Sequence, residues 1–151
     1  MYDDVVLPVA PDSDASRAIP HAAHIGERDG ATVHVLSVAD TVVETLTGPD
    51  VGSLAERIES AASDRVHEVE AELEERGIET RAHVVRGRPE EVIVDVVEQE
   101  DADIVVMPSH TRTGVQHFLL GSVAERVVRH APVPVTTVPM TEADETEDGE
   151  E

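Results

Sequence analysis

Residues 104–107 read Ile-Val-Val-Met, and residues 133–138 read Val-Pro-Val-Thr-Thr-Val. Between these apolar runs lie a polar loop, from Pro108 to about Leu120, and a helical pattern from about Ser122 to His130. Short apolar strands that are separated by a helix are typical of a parallel sheet covered by helices. This segment therefore predicts one strand–helix–strand unit of such a sheet.

The same alternation precedes this unit along the chain. Three further strands are predicted at Val5–Val9, Val33–Val38 and Ile78–Val85. Three helices are predicted between the strands: one capped by Ser16 and running to about Asp29, one beginning at Leu54 after a loop over 41–53, and one beginning at Pro89. The order β-α-β-α-β-α-β-α-β predicts an α/β fold, a doubly wound five-stranded parallel sheet with helices on both faces.

A doubly wound sheet also indicates where a ligand binds. Ligands of such sheets lie outside the carboxyl ends of the strands, at the point where the winding reverses. The loops that follow the relevant strands are Ala10–Ser16, Ala39–Ser53 and Pro108–Ser122. We expect the functional site to be built from these three loops.

The composition excludes several classes of function. The 151 residues contain no Cys, no Trp, one Tyr and one Phe, which excludes disulfides, thiolate metal sites and cysteine catalysis. Nucleic-acid binding is disfavoured because it needs a basic surface and often stacking aromatics. No apolar run approaches the ~20 residues needed to span a bilayer, and no signal-peptide pattern precedes the first strand. We expect a soluble, cytoplasmic protein with no membrane partner.

The chain is strongly acidic. It carries 33 acids and 11 basic residues, a formal net charge of −22, and every basic residue is Arg. Seven of the acids lie in residues 142–151, which have no periodic apolar positions and are predicted to form a disordered tail. At molar salt the Debye length falls to about 3 Å, so such a surface no longer repels itself. Acid excess without Lys favours a halophilic protein over an acidic protein of an ordinary cell.

Four motifs carry a resemblance to a known family. They are GRPEEVI at 87–93, ADIVVM at 102–107, SHTRTG at 109–114 and LLGSVAERVVRHAPVPV at 119–135. With these motifs the chain resembles the universal stress proteins over residues 4–139. The resemblance implies a nucleotide-binding-like, Rossmann-type domain over 1–139, followed by the acidic tail at 140–151. It also implies a homodimer with a role in the stress response; some members of the family bind ATP and others do not.

The ATP-binding members share a pattern of Gly, two residues, Gly, nine residues, Gly, and then Ser or Thr. The matching positions here are Pro108, Thr111, Gly121 and Ser122, so only the second half of the pattern is present. These members also tend to have an Asp at the end of the first strand, where this chain has Ala10, with Asp12 or Asp14 as the nearest substitute. The resemblance thus implies a degenerate ATP motif.

The residue types explain what such a motif does. Gly121 and Ser122 open a helix whose free N–H groups can receive a phosphate. Pro108 has no N–H, and Thr111 carries a branched side chain where bare backbone would approach the ligand. We predict that ATP binds weakly. The candidate binding residues are Ala10, Asp12, Arg112, Gly114, Gly121, Ser122 and Val123.

Each candidate also has a purely structural interpretation. Gly121-Ser122 is equally compatible with a simple helix start, Arg112 with a solvated cation on an acidic surface, and His110 with a loop cap. His21 and His24 are spaced three apart on a helix without an evident third ligand, so no metal site is predicted from them. No catalytic triad is predicted either, because the strained serine turn of that class is absent around Ser122.

Three functions remain open on these grounds. The leading one is a binding or signalling module with weak adenine nucleotide binding. The second is a slow ATPase or phosphotransferase on the same fold, although a Walker A pattern, a Lys for phosphates and a metal-binding acid are not evident. The third is a dimeric interaction protein with an empty cleft.

The fifth strand, Val133-Pro134-Val135-Thr136-Thr137-Val138, is expected at an edge of the sheet. Pro134 cannot donate to a ladder, which suits an edge position. Exposed apolar edges invite pairing with another chain, and a two-fold axis would pair this strand with its own copy. We therefore predict a homodimer through the Val133–Val138 strand.

Overall fold

The computed structural model describes residues 1–41, 51–109 and 120–140. For Val51 it describes only the backbone. Strands and helices alternate along these residues. Their bounds are β1 Asp4–Pro8, α1 Ala18–Asp29, β2 Thr32–Asp40, α2 Val51–Glu75, β3 Thr80–Gly87, α3 Pro89–Gln99, β4 Ile104–Ser109, α4 Ser122–His130 and β5 Val135–Pro139.

The five strands form one parallel sheet in the order β3-β2-β1-β4-β5. The chain first moves from β1 outward to β2 and β3, and then returns to the other side of β1 to add β4 and β5. This reversal confirms the predicted doubly wound α/β fold. Both β3 and β5 are edge strands.

The two strands at the reversal separate soon after they meet. The register of β1 with β4 consists of Val5 opposite Ile104 and Val6 opposite Val105, whereas β1 stays in register with β2 along its whole length. Beyond Val105 the end of β4 is paired with β5 alone. A crevice therefore opens between the carboxyl ends of β1 and β4, where a ligand is expected in this class of sheet.

Alternating residues of the central strands supply two separate cores. In β1, Val5 and Leu7 pack under α1 and α2, while Val6 packs under α3 and α4. All three side chains are fully buried. Strands buried on both faces need apolar residues at nearly every position, which explains the continuous apolar runs in the sequence.

Two predicted helix starts were wrong by a few residues. Ser16 does not cap α1, which begins at Ala18; instead the Ser16 N–H donates to Asp14 Oδ1 at 2.9 Å in the preceding turn. The turn is closed by a local side chain, so the helix starts after it. The second helix begins at Val51 rather than Leu54, so Gly52 and Ser53 are helical. Residues 42–50 of the predicted 41–53 loop lie outside the described residues.

The last two strands end further toward the carboxyl terminus than predicted. Pro108 and Ser109 belong to β4 rather than to the loop, because β5 lies beside them with Val138 and Pro139 in register. The fifth strand begins at Val135 rather than Val133. The residue before it, Pro134, only accepts a hydrogen bond, from the Val105 N–H at 3.0 Å. The acidic tail, from residue 141 onward, lies outside the described residues.

Among the described residues, none of the helices combines the length and the apolar character that crossing a bilayer needs.

Candidate functional site

A cavity of about 200 Å³ lies at the carboxyl ends of β1 and β4, under the start of α4. It occupies the crevice that the separation of these strands creates. Its lining residues belong to β1, β2, β4, α3, α4 and the segments next to them: Pro8, Val9, Ala10, Asp12, Ser13, Leu36, Val38, Pro89, Ile93, Met107, Pro108, Ser109, Gly121, Ser122, Val123, Ala124 and Met140.

One wall of the cavity is apolar. Leu36 and Val38 of β2, Ile93 of α3 and Met107 of β4 contribute to it, and three of the four are buried or nearly so. Apolar walls of this kind hold flat, weakly polar groups by burying their surface, while a few polar groups orient the ligand. This wall could therefore accept one face of a heteroaromatic ring.

The amino terminus of α4 also lines the cavity. Gly121 precedes the helix with φ −64° and ψ 160°, and no side chain caps it. The first intrahelical bond runs from the Glu125 N–H to the Gly121 carbonyl at 3.0 Å. The N–H groups of Ser122, Val123 and Ala124 precede that bond, so they have no acceptor within the helix. Together with the helix dipole, they form a place for an anion.

The one acid in the first turn of α4 is already engaged. Glu125 Oε1 lies 3.2 Å from the guanidinium of Arg129, one turn further along the same helix. Glu125 does not line the cavity, whereas Gly121, Ser122 and Val123 do. The positive end of α4 thus faces the cavity without a carboxylate from its own helix in between.

The loop after β1 places a carboxylate at the rim. The Ala10 N–H donates to Ser13 Oγ at 3.1 Å, and the Ser13 hydroxyl donates to the Ala10 carbonyl at 3.0 Å, so a tight turn brings Asp12 to the cavity. A carboxylate accepts hydrogen bonds and repels anions, so Asp12 suits a hydroxyl of a ligand rather than its phosphate.

Asp14 does not line the cavity. Its carboxylate accepts hydrogen bonds from Ser16, and these bonds lower the pKa of Asp14 below its ordinary value. Of the two acids that the sequence offered as a substitute at the end of the first strand, only Asp12 is at the cavity.

Ser109 is a lining residue that sequence reasoning did not single out. It ends β4, is 2% exposed, and its Oγ has no hydrogen-bond partner among the described residues. A buried hydroxyl without a partner costs free energy, roughly 1–3 kcal/mol by mutational data, unless a ligand or water satisfies it. Its position at the end of a strand beside the winding reversal could have identified Ser109 from the sequence.

The structure brings most of the predicted residues together. Ala10, Asp12, Gly121, Ser122 and Val123 all line the cavity, with Pro108 beside them. The remaining predicted site residues, Arg112 and Gly114, lie outside the described residues, as do Thr111 and His110. His21 and His24 are exposed on α1 and, within residues 1–41, 51–109 and 120–140, belong to no metal-binding cluster.

The comparison with known sequences gives a family and close relatives. Residues 1–139 match the Universal stress protein family. Universal stress protein MJ0531 of Methanocaldococcus jannaschii is 32% identical over 142 residues, which are 91% of this chain and 82% of the relative. Universal stress protein G of Salmonella typhimurium is 31% identical over the same length, which covers 99% of that protein.

Solved structures agree with this family. The structure of the hypothetical protein MJ0577 is similar with a TM-score of 0.76 at 29% identity, over 93% of this chain and 98% of the other. The universal stress protein from Archaeoglobus fulgidus in complex with dAMP has a TM-score of 0.68 at 24% identity, over 90% and 97% of the two chains, and shows the same fold. The chain belongs to the universal stress protein family.

Proposed function

We propose that this chain is a cytoplasmic, homodimeric stress-response protein that binds an adenine nucleotide in the cavity between β1, β4 and α4. One observation carries the proposal: an apolar wall and the free N–H groups of a helix amino terminus face the same cavity. A nucleotide is a ligand with an apolar, flat end and an anionic end. A relative of the same fold was solved with dAMP.

The apolar wall and the amino terminus of α4 determine where each part of the ligand lies. The phosphate lies at the amino terminus of α4, against the N–H groups of Ser122 and Val123 and the Ser122 hydroxyl. The base lies against the Leu36 and Ile93 side of the cavity. Asp12 accepts a hydrogen bond from a sugar hydroxyl, and the unpartnered Ser109 hydroxyl is available to a polar atom of the ligand.

The ATP motif is degenerate in this proposal, so binding is weak. Pro108 lines the cavity and has no N–H to offer, and Thr111 stands at the second motif glycine. The polar groups of the described lining include N–H groups, hydroxyls and one carboxylate, which hold a ligand by hydrogen bonds. Phosphoryl transfer additionally requires positioned water or acceptor and concentrated positive charge. We therefore propose a binding module rather than an ATPase.

Nucleotide extraction is the first test. Protein purified in high salt is denatured gently, and the supernatant is analysed for adenine nucleotides. Calorimetry with AMP, ADP and ATP on the stripped protein then gives the affinities. Bound nucleotide, or a saturable affinity weaker than micromolar, supports the proposal. An empty extract together with no measurable heat for any of the three nucleotides contradicts it and favours the interaction protein with an empty cleft.

A pair of variants at Ser122 locates the binding site. Ser122→Pro removes one N–H and the hydroxyl, and the extended conformation of Gly121 is compatible with a following proline at the first helical position. Ser122→Ala removes the hydroxyl alone. We expect Ser122→Pro to weaken nucleotide binding more than Ser122→Ala does, with both variants folded by circular dichroism. Equal affinities in both variants and the parent protein would place the nucleotide elsewhere.

A further inference from the structure

A second cluster of polar side chains lies near the amino ends of the strands, away from the cavity. His34 is the third residue of β2 and is 1% exposed. Its register partner in β3 is Arg81, two residues before His83, so both histidines project from the same face of the sheet. His34 Nδ1 lies 3.0 Å from His83 Nε2.

Glu100 brings a carboxylate to the same point. It directly follows α3, whose apolar face packs on this side of the sheet. Glu100 Oε1 lies 3.9 Å from His34 Nδ1. One ligand atom from each of His34, His83 and Glu100 can be chosen so that all three lie within 4.8 Å of one another.

Asp4 orients the central histidine. Its Oδ1 lies 2.9 Å from His34 Nε2, and a carboxylate only accepts, so Nε2 carries the proton. In the neutral imidazole Nδ1 is then an acceptor, which takes a hydrogen bond from the His83 Nε2–H and lies near Glu100. A bound cation would take the place of that shared proton. Asp4 itself is held, because its N–H donates to Asp103 Oδ2 at 3.0 Å. A carboxylate behind a histidine in this way is the usual support of a metal-bound imidazole.

We propose that His34 Nδ1, His83 Nε2 and a carboxylate oxygen of Glu100 bind a divalent transition-metal cation, for which Zn²⁺ is the best match. Tetrahedral Zn²⁺ with bonds of 2.0–2.1 Å requires ligand atoms about 3.3 Å apart. The separations of 3.0 and 3.9 Å around His34 Nδ1 bracket this value. Two imidazoles and a carboxylate leave the fourth position to water, and the imidazoles exclude Mg²⁺ as the preferred ion.

The charges around the cluster are compatible with a cation. Asp4 and Glu100 are both acidic and partly buried. Arg81 has its NH1 3.9 Å from Glu100 Oε1, and because its side chain is 64% exposed, solvent screens its charge.

The site joins three elements that are otherwise held by packing, main-chain bonds and the Arg81–Glu100 ion pair. His34 belongs to β2, His83 to the edge strand β3, and Glu100 to the end of α3. A bound cation would fasten the edge strand to its neighbour and to the helix above. It would also act independently of the nucleotide, whose proposed site is at the opposite ends of the strands.

The test is a titration of chelator-stripped protein with ZnCl₂ in the absence of nucleotide. We expect one Zn²⁺ per chain by calorimetry and a rise in the unfolding temperature on binding. His83→Gln and Glu100→Gln, both at partly exposed positions, should each weaken Zn²⁺ binding at least tenfold. Asp4→Asn keeps the three ligands and should weaken it about 10–100-fold. The control, His24→Gln, changes an exposed histidine on α1 and should leave the affinity unchanged.

Two results would overturn the proposal. One is a Zn²⁺ affinity that is the same in His83→Gln and in the parent protein. The other is that the parent protein binds no Zn²⁺, or that the control variant His24→Gln no longer binds it. A Co²⁺ titration gives a second readout, since the intense visible bands of a four-coordinate site should appear in the parent protein and be absent in folded Glu100→Gln. Weak, octahedral-type bands in the parent would also contradict the proposal.

Discussion

Pro108 sets the expected limit on nucleotide affinity. It lines the cavity from β4, where a glycine would present an N–H and a bare backbone. A hydrogen bond to a charged group contributes about 1.5–3 kcal/mol, which corresponds to roughly 10–150-fold in affinity. We predict that Pro108→Gly combined with Thr111→Gly strengthens ATP binding within this range, as measured by calorimetry.

The control for that prediction is Pro11→Gly, in the exposed turn after β1 and outside the cavity lining. It adds the same backbone freedom and an N–H, but at a residue that does not line the cavity. Micromolar or tighter ATP binding by the unmodified protein would show that the missing donor does not limit affinity.

The first residue of the GRPEEVI motif, Gly87, is a glycine for a reason of packing. It ends β3 with φ +152°, and a Cβ placed there would lie 2.6 Å from Cγ2 of Val92, a buried residue of α3. Crowding of this kind typically costs about 1–3 kcal/mol. We predict that Gly87→Ala lowers the free energy of unfolding by that amount, measured by urea denaturation. Gly52→Ala, where a Cβ meets nothing within 4 Å, is the control and should not lower stability, because Ala is favoured over Gly in a helix.

At the scale of the element, the edge strand β5 carries the proposed dimer. Val135 is half-buried and its neighbour Thr136 is exposed, so the strand presents a mixed surface at an open edge. We predict that Val135→Asp places unpaired charges next to the two-fold axis and gives monomers in gel filtration at high salt.

The matched control lies on the other edge of the sheet. Val84 of β3 is 37% exposed, so Val84→Asp makes the same change on the opposite edge strand. It should leave the dimer intact. Monomers from Val84→Asp but not from Val135→Asp would move the interface to β3, and a parent protein that elutes as a monomer at micromolar concentration would contradict the dimer.

The helices with a clear local signal were predicted closely, and the strand ends were not. Pro89 begins α3 and Ser122 begins α4 as predicted, because each start is marked by residues within one turn. The ends of β4 and β5 depend on each other: Pro108 and Ser109 are strand residues because β5 lies beside them. A pairing partner some 30 residues away leaves no mark in the local pattern.

The whole molecule is predicted to require salt. The whole chain carries 33 acids against 11 Arg, so most acids cannot pair with a cation. Arg86–Glu59 at 2.8 Å and Arg126–Glu90 at 3.2 Å are examples of ion pairs among the described residues. Salt weakens such pairs, but it also screens the more numerous repulsions between acids. We expect the midpoint of thermal unfolding to rise from low to molar KCl. Equal midpoints would contradict a halophilic protein. The control is a neutral osmolyte at matched osmolality, which separates the screening of surface charges from the exclusion of solute from the protein surface.

The fold and the cavity could be predicted from the sequence, whereas the cluster of His34, His83 and Glu100 could not. Strand runs and helix periods determine the alternation, and the reversal of winding indicates which loops surround the cavity. Within those loops, Ala10, Asp12, Gly121 and Ser122 were identified by the resemblance to ATP-binding universal stress proteins. His34 and His83 stand 49 residues apart inside apolar strands. Only the register of β2 with β3 brings them together, and register is set by the packing of the complete sheet.

The carboxylate of Asp103 accepts the N–H groups of Asp3 at 2.8 Å and Asp4 at 3.0 Å, which ties the first strand to a point about a hundred residues later. During synthesis β1 leaves the ribosome first, but its second neighbour, β4, does not exist until residue 104 has been added. At about 5–20 residues per second, the flank of the central strand stays open for on the order of 5–20 s. Within that interval the nascent chain exposes an apolar strand edge that a chaperone or another copy can pair with, and only the last third of translation closes it.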